Sequence, residues 1–202
     1  WSKQELDLDL EEEKTYQFLA LSERKKNYIG IYKDSKYPDI KGLLAKKRNT
    51  PEFIKTIFAE VIEILKKITN DDEFHEKRDQ IVTIVRENLR KIGKEGAFDL
   101  SDYAINTAIT KNLNKYKVTP QHIAAALELR EITGKEYQKG EIISFVKTKT
   151  SNGAKATEIA KLQDIDVKKY RELLKSALEQ VLDALGITWQ EIKGIKKMDA
   201  FF

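Results

Sequence analysis

The dipeptide Thr50-Pro51 separates two periodicities and so constrains the fold more than any other feature of the chain. Proline has no N–H and a fixed φ, which suits the first helical position and no interior one. A threonine before it can cap the helix with its side-chain oxygen. A helix is therefore expected with Thr50 as N-cap and Pro51 as its first residue. Ile54, Ile57, Phe58, Val61, Leu65 and Ile68 recur at helical spacing down to Thr69. Asn70 followed by Glu73 has the spacing of a capping box and opens a second helix, with Phe74, Ile81, Val85, Leu89 and Ile92 as its buried stripe and Gly93 as its stop. The short connection predicts an antiparallel pair.

Upstream of Thr50 the pattern is extended. Trp1–Glu13 reads as the tail of a helix and a polar connection. Thr15–Leu21 (TYQFLAL) is apolar on both sides and reads as a buried strand. Ser22–Lys26 is a turn, Asn27–Lys33 an antiparallel neighbour, Asp34–Pro38 a second turn and Asp39–Leu44 a third extended run. Three strands make a poor independent domain, so this sheet is expected to continue elsewhere. Between Glu23 and Asn49 nine residues are Lys or Arg (24, 25, 26, 33, 36, 41, 46, 47, 48) and three are acidic (23, 34, 39). If the second and third runs pair, Arg24-Lys25-Lys26 and Lys46-Lys47-Arg48 come to the same end. Such an edge suits a phosphate backbone. A solvated lysine edge that blocks strand aggregation has the same composition.

Downstream of Gly93, Lys94–Asp99 is a loop, and Leu100–Asn112 suits either a helix or a buried extended segment. Thr119-Pro120 repeats the helix start, giving a helix from Gln121 to about Ile132. Gly134–Gly140 is a turn, Glu141–Lys147 alternates like a strand, Ser151–Gly153 is a loop, and Lys155–Leu162 suggests a short helix. Asp166 caps a long helix with Tyr170, Leu173, Leu174, Ala177, Val181, Leu182 and Leu185 on one face, ending at Gly186. A last helix spans Thr188–Ile192. The predicted class is α+β, a short antiparallel sheet followed by a mostly helical domain with a small β element. The predicted boundaries are 1–49, 50–194 and 195–202.

A formal charge of +4 on 202 residues is too small to argue for nucleic acid, so the distribution of charge has to carry that argument. With no Cys and two distant His, a disulfide is impossible and a zinc site is not expected. The acidic run at Asp7, Asp9 and Glu11–Glu13 has no second carboxylate run to face it. His75, in an exposed first turn, reads as surface. No apolar run approaches a membrane span and no signal peptide is visible, so an intracellular, soluble chain without a membrane partner is expected. One Met, no Cys and abundant Lys, Glu and Ile lean towards a thermophile. The start at Trp1 rather than Met is that of a processing, cloning or ordering boundary.

Lys25-Lys26-Asn27-Tyr28, then Lys41-Gly42, then Lys46-Lys47-Arg48 resembles the region after the last catalytic motif of archaeal-type family B DNA polymerases. There a Lys-Lys-x-Tyr palm strand is followed by Lys-Gly or Arg-Gly and a basic cluster leading into the thumb. The cluster differs from the usual Arg-Arg-Asp followed by an aromatic residue. Thr110-Lys111, Tyr116, Pro120-Gln121-His122 with Ala124–Ala126, and Lys139-Gly140-Glu141 resemble the family's thumb, with Gln121 inserted into the usual Pro-His. The resemblance runs from about Leu10 to the end.

The resemblance implies the palm edge and thumb of a DNA-directed DNA polymerase, serving DNA replication. Lys25, Lys26 and Tyr28 would meet the minor-groove side and backbone of the primer–template duplex. Lys41, Gly42, Lys46, Lys47 and Arg48 would hold primer phosphates. Thr110, Lys111, Tyr116 and His122 would hold the duplex from the thumb side. Core packing is the other reading of Tyr28 and Tyr116, and a local hydrogen bond at a helix start is that of His122. No catalytic or metal-binding residue is expected. The DTD-type motif is absent, so Mg2+ would be held by a larger partner chain carrying exonuclease, fingers and catalytic palm, and this chain alone would be inactive. A fragment of one chain and a small subunit of a split polymerase both fit. Met198-Asp199-Ala200-Phe201-Phe202 has the spacing of a sliding-clamp-binding peptide, with Met198, Phe201 and Phe202 as its contacts, although the usual Gln is Ile195; folding back onto the domain is its other reading. The expected localisation is cytoplasmic and nucleoid-associated. A non-enzymatic accessory protein that binds DNA and a sliding clamp is the alternative function.

Overall fold

The computed structural model describes residues 14–195 apart from 24, 34, 36, 44 and 46. Three strands, β1 (Phe18–Leu21), β2 (Tyr28–Ile31) and β3 (Asp39–Lys41), form an antiparallel sheet in that order. Phe18 lies opposite Ile31, Ala20 opposite Ile29, and Ile29 opposite Ile40. Side chains alternate along a strand, so this register puts those apolar residues on one face. Ala20, Ile29 and Ile31 are buried there. The other face carries Leu19, Leu21, Tyr28, Gly30, Asp39 and Lys41. Leu19 and Leu21 are 45% and 64% exposed, so the first strand is buried on one side only and not on both as its composition suggested. The reason is packing: the core lies against the Phe18–Ala20 face, and no apolar layer of the described residues covers Leu19 and Leu21 on the other.

Helix α1 (Glu52–Leu65) begins one residue later than expected. Pro51 itself is the N-cap, with ψ 144°, and Thr50 stands outside the helix. α1 buries Phe53, Ile54, Ile57, Phe58, Val61, Ile62, Ile64 and Leu65, more faces than a single amphipathic stripe. It is the central helix of the larger core, which also holds the inner face of the first sheet. Thr50 thus marks a change of secondary structure within one continuous core.

Helix α2 (Asp71–Lys91) starts as its sequence requires. Asn70 Oδ1 accepts from Glu73 N (2.9 Å), while Glu73 Oε2 accepts from the Thr69 N–H (2.8 Å) and hydroxyl (2.7 Å). His75 on its first turn is exposed. Leu100–Asn112 resolves into a 3-10 turn at Leu100–Tyr103 and strand β4 (Ile105–Ala108). Helix α3 (Gln121–Thr133) ends at Gly134, which is left-handed with φ 73°.

A second antiparallel sheet has β5 (Ile142–Lys147) between β4 and β6 (Ala154–Ala156). The short helix expected over 155–162 is therefore a strand at its start. Ala154 pairs with Lys147 and Ala156 with Phe145, and both alanines are buried against the smaller core around α3. Cross-strand hydrogen bonding and burial of two small alternating side chains outweigh the weak local helical preference.

Helix α4 (Val167–Ala184) is capped by Asp166, which accepts from the N–H of Lys168 and Lys169. Helix α5 (Trp189–Lys193) has a Thr188–Glu191 capping box. It is fastened to α2 by Arg78, 2.7 Å from Glu191, and by Arg86, whose guanidinium donates to the carbonyls of Glu191 and Ile192. Tyr170 joins the second sheet to the larger core: its hydroxyl donates to the Tyr103 carbonyl (2.7 Å) and accepts from the Lys147 N–H (2.9 Å). Among the described residues no helix is long and apolar enough to cross a membrane.

Candidate nucleic-acid interface

Pairing of Tyr28 with Lys41 brings the β1–β2 turn beside the end of β3. Lys25 and Lys26 thus stand next to Lys41-Gly42. Lys26 has φ 63°, a left-handed conformation that closes the turn, and Gly42 has φ 71°. A Cβ at position 42 would overlap Asn27 Oδ1 and lie 2.9 Å from the Lys26 carbonyl oxygen. Gly42 is therefore required by backbone geometry and close approach, and it locks the two basic motifs together. Lys25, Lys26, Lys41, Lys47 and Arg48 are exposed, and none forms an ion pair among the described residues. The expectations on Arg24, Lys46, Met198, Phe201, Phe202 and Trp1–Glu13 lie outside the described residues.

The outer face of the same sheet holds a cluster that motif reading did not single out. One oxygen of Asp39, Oδ2, accepts from Lys14 Nζ (2.7 Å) and from the hydroxyls of Tyr16 (2.8 Å), Tyr28 (3.0 Å) and, at greater length, Tyr32 (3.4 Å). Hydrogen bonds from Lys14 and then Tyr16 hold the Asp39 carboxyl well below the usual carboxylate range. Lys14 is raised in turn by its bond to Asp39, and Tyr16 is raised by desolvation and the same carboxylate. The Tyr16 ring covers Gly30, where any Cβ would overlap it. Tyr28 is thus neither a plain core residue nor a free side chain, because its ring is half-buried and its hydroxyl is held by Asp39. The signal was present in the alternation Tyr28-x-Gly30-x-Tyr32, which places both phenols and the gap between them on one face.

The second group forms after β4. Ile109 is fully buried, and both its backbone groups bond to the 140–141 turn, N–H to Glu141 O and carbonyl to Gly140 N (each 2.8 Å). This anchors Thr110 and Lys111, which are exposed. Tyr116 curls back so that its phenol oxygen accepts from the N–H groups of Thr110 (3.0 Å) and Lys111 (3.1 Å) and shares a hydrogen bond with the Thr110 hydroxyl (3.1 Å). The Thr110 hydroxyl, first among these bonds, lowers the Tyr116 pKa. Both N–H groups are thereby satisfied by the phenol, which fixes the backbone that carries the Lys111 side chain. His122 on the first turn of α3 meets the Tyr116 ring edge-on at 6.3 Å, and burial lowers its pKa. Four expected residues, Thr110, Lys111, Tyr116 and His122, therefore form one local constellation. The basic strand end and this constellation lie on different sheets and different cores.

Between the start of α1, the second sheet and α4 runs a cleft of about 350 Å3 whose lining includes Lys47, Thr50, Thr107 and Lys147. Lys147 donates to Gln121 Oε1 (2.5 Å), and burial lowers its pKa. Among the described residues no three His, Asp or Glu side chains could hold a metal ion. Asp39, the most heavily bonded carboxylate, is enclosed by phenols and an ammonium. The described residues therefore do not fit a Mg2+ site.

The fold combines two small antiparallel sheets with long helices and exposes cations at a strand end, as in a nucleic-acid-handling domain. The family model described as DNA polymerase family B matches residues 2–185. DNA polymerase 1 of Saccharolobus solfataricus is 43% identical over 203 residues, covering 100% of this chain and 23% of that protein. DNA polymerase 1 of Aeropyrum pernix is 39% identical over 197 residues, covering 95% of this chain and 20% of that protein. The solved structure of the family B DNA polymerase from the hyperthermophilic archaeon Pyrobaculum calidifontis superposes with a TM-score of 0.63 at 26% identity, over 98% of this chain and 24% of that one. This chain belongs to DNA polymerase family B. It spans under a quarter of the length of these curated relatives.

Proposed function

We propose that this chain is the palm-edge and thumb portion of a DNA-directed DNA polymerase, and that it grips the primer–template duplex while catalytic carboxylates and Mg2+ reside in the remainder of the enzyme. Residues 1–49 form the palm edge and 50–194 the thumb. The observation that carries the reading is the group of exposed cations Lys25, Lys26 and Lys41 at one strand end, with exposed Lys47 and Arg48 following in the chain, none of them ion-paired among the described residues. Such cations bind phosphates and release counterions, which gives affinity without sequence preference. Exposed Lys111, held in place by the hydrogen bonds of its own and the Thr110 N–H to Tyr116, supports a second phosphate contact on the thumb side. The edge of β1, unpaired among the described residues, fits a sheet that continues into the rest of the polymerase, whether covalently joined or a separate large chain, and exposed Leu19 and Leu21 fit a face that it covers.

The test is salt dependence. In the assembled polymerase, Lys25→Ala with Lys26→Ala should weaken primer–template binding. It should also reduce the slope of log K against log salt by about one unit for each phosphate interaction removed. An unchanged slope would mean that these side chains do not touch phosphate.

A further inference from the structure

Helices α2, α4 and α5 enclose a cleft of about 900 Å3, and nothing in the DNA-gripping role uses it. Its rim carries Arg90, Lys149, Lys168, Arg171 and Lys193, all exposed. None of the five forms an ion pair among the described residues. The other two cations of the lining are occupied. Arg86 holds the carbonyls of Glu191 and Ile192, and Lys175 pairs with Glu179. The two carboxylates of the lining are occupied as well: Asp166 caps α4, and Glu172 pairs with Lys169 at 3.1 Å. The rim thus carries an unbalanced positive charge, while self-repulsion among like charges favours an anionic occupant.

The floor is of a different kind. Leu89, Val167, Trp189, Ile192 and Ile195 line it, and Ile195 is 56% exposed although it follows a tightly capped helix. A phosphate backbone would neutralise the rim and leave this floor wet. Stacked bases need several aromatic faces, and Trp189 is the one aromatic residue of the lining. A chain segment that alternates carboxylates with large apolar side chains satisfies rim and floor together. We propose that this cleft is a docking site for an acidic, apolar-studded peptide segment of a partner protein. The site is independent of the DNA-gripping reading.

A fluorescein-labelled synthetic peptide in which Asp and Glu alternate with Leu and Phe is titrated into the full chain by fluorescence anisotropy. The comparators are the same peptide with Ser at every apolar position and an oligo-dT of equal charge. The expected result is binding at least about tenfold tighter than either comparator, the equivalent of one buried apolar side chain. Lys168→Glu with Arg171→Glu should weaken it by about tenfold or more at low salt. Both residues are exposed and have no side-chain hydrogen bond or ion pair among the described residues, so the unfolding transition should match wild type. Lys25→Ala with Lys26→Ala should leave peptide affinity unchanged, which separates this site from the DNA contact. Equal binding of the Ser peptide, equal binding of oligo-dT, or no effect of the charge reversals overturns the proposal.

Discussion

Removing one oxygen atom from Tyr170 tests how the second sheet is tied to the main core. Tyr170 is completely buried, and its hydroxyl serves two backbone groups at once, the Tyr103 carbonyl at 2.7 Å and the Lys147 N–H at 2.9 Å. Burial pushes its pKa up, so the group is a neutral phenol throughout the physiological range. Tyr170→Phe keeps the ring and its edge-on contacts with Tyr103 (5.0 Å between centroids) and Phe53 (6.0 Å). The substitution therefore isolates the hydrogen bonds from the packing. Each backbone group left without a partner costs about 1–3 kcal/mol, so the pair amounts to about 2–6 kcal/mol. At roughly 2–4 °C per kcal/mol for a chain of this size, the melting temperature should fall by on the order of 10 °C. Tyr103→Phe is the comparator, because among the described residues its hydroxyl serves a single backbone group, the Gly93 N–H, at 2.9 Å. Its loss should be about half as large. Urea and thermal unfolding followed by circular dichroism measure both variants. A Tyr170→Phe loss no greater than that of Tyr103→Phe would refute the idea that this hydroxyl bridges the two parts.

Gly42→Ala should destabilise the chain by more than Gly96→Ala. Both glycines are left-handed (φ 71° and 74°), but only position 42 lacks room for a Cβ, so the difference in urea midpoint isolates the overlap with Asn27 and Lys26; equal midpoints would count against it. Glu191 is held at about 2, first by the Thr188 N–H and then by Arg78. A depressed carboxyl contributes fully above the ordinary value of 4.5 and loses its contribution as pH falls towards 2. Glu191→Gln should therefore lower stability at neutral pH and flatten the acid-dependent decline over that window. An unchanged pH profile would mean that the α2–α5 fastening contributes nothing.

Most element boundaries were legible because they depend on a few neighbouring residues. Asp166, Asn70 with Glu73, and Thr188 cap the helices that follow them, and Gly93, Gly134 and Gly186 stop helices by taking positive φ. The order of the basic motifs, and the closeness of Thr110, Lys111, Tyr116 and His122, were likewise readable, since those four sit within one loop and one helix turn. Local signals failed where a partner far along the chain decided the outcome. Ala154–Ala156 is a strand because β5 offers it a ladder, and Leu19 and Leu21 are exposed because no apolar layer of the described residues covers their face of the sheet. Asp39 is read in sequence as one acid in a basic hairpin. Folding places Lys14 and three phenols around a single oxygen of it.

The sequence by itself determined the α+β class, most of the helix starts, and the family, because capping, periodicity and motif order are properties of contiguous residues. Only the tertiary structure decided the Asp39 cluster, the bridge made by Tyr170 and the cation-rimmed cleft. Each of these joins side chains from separate elements, and sheet register and helix packing, which no local window contains, set their distances.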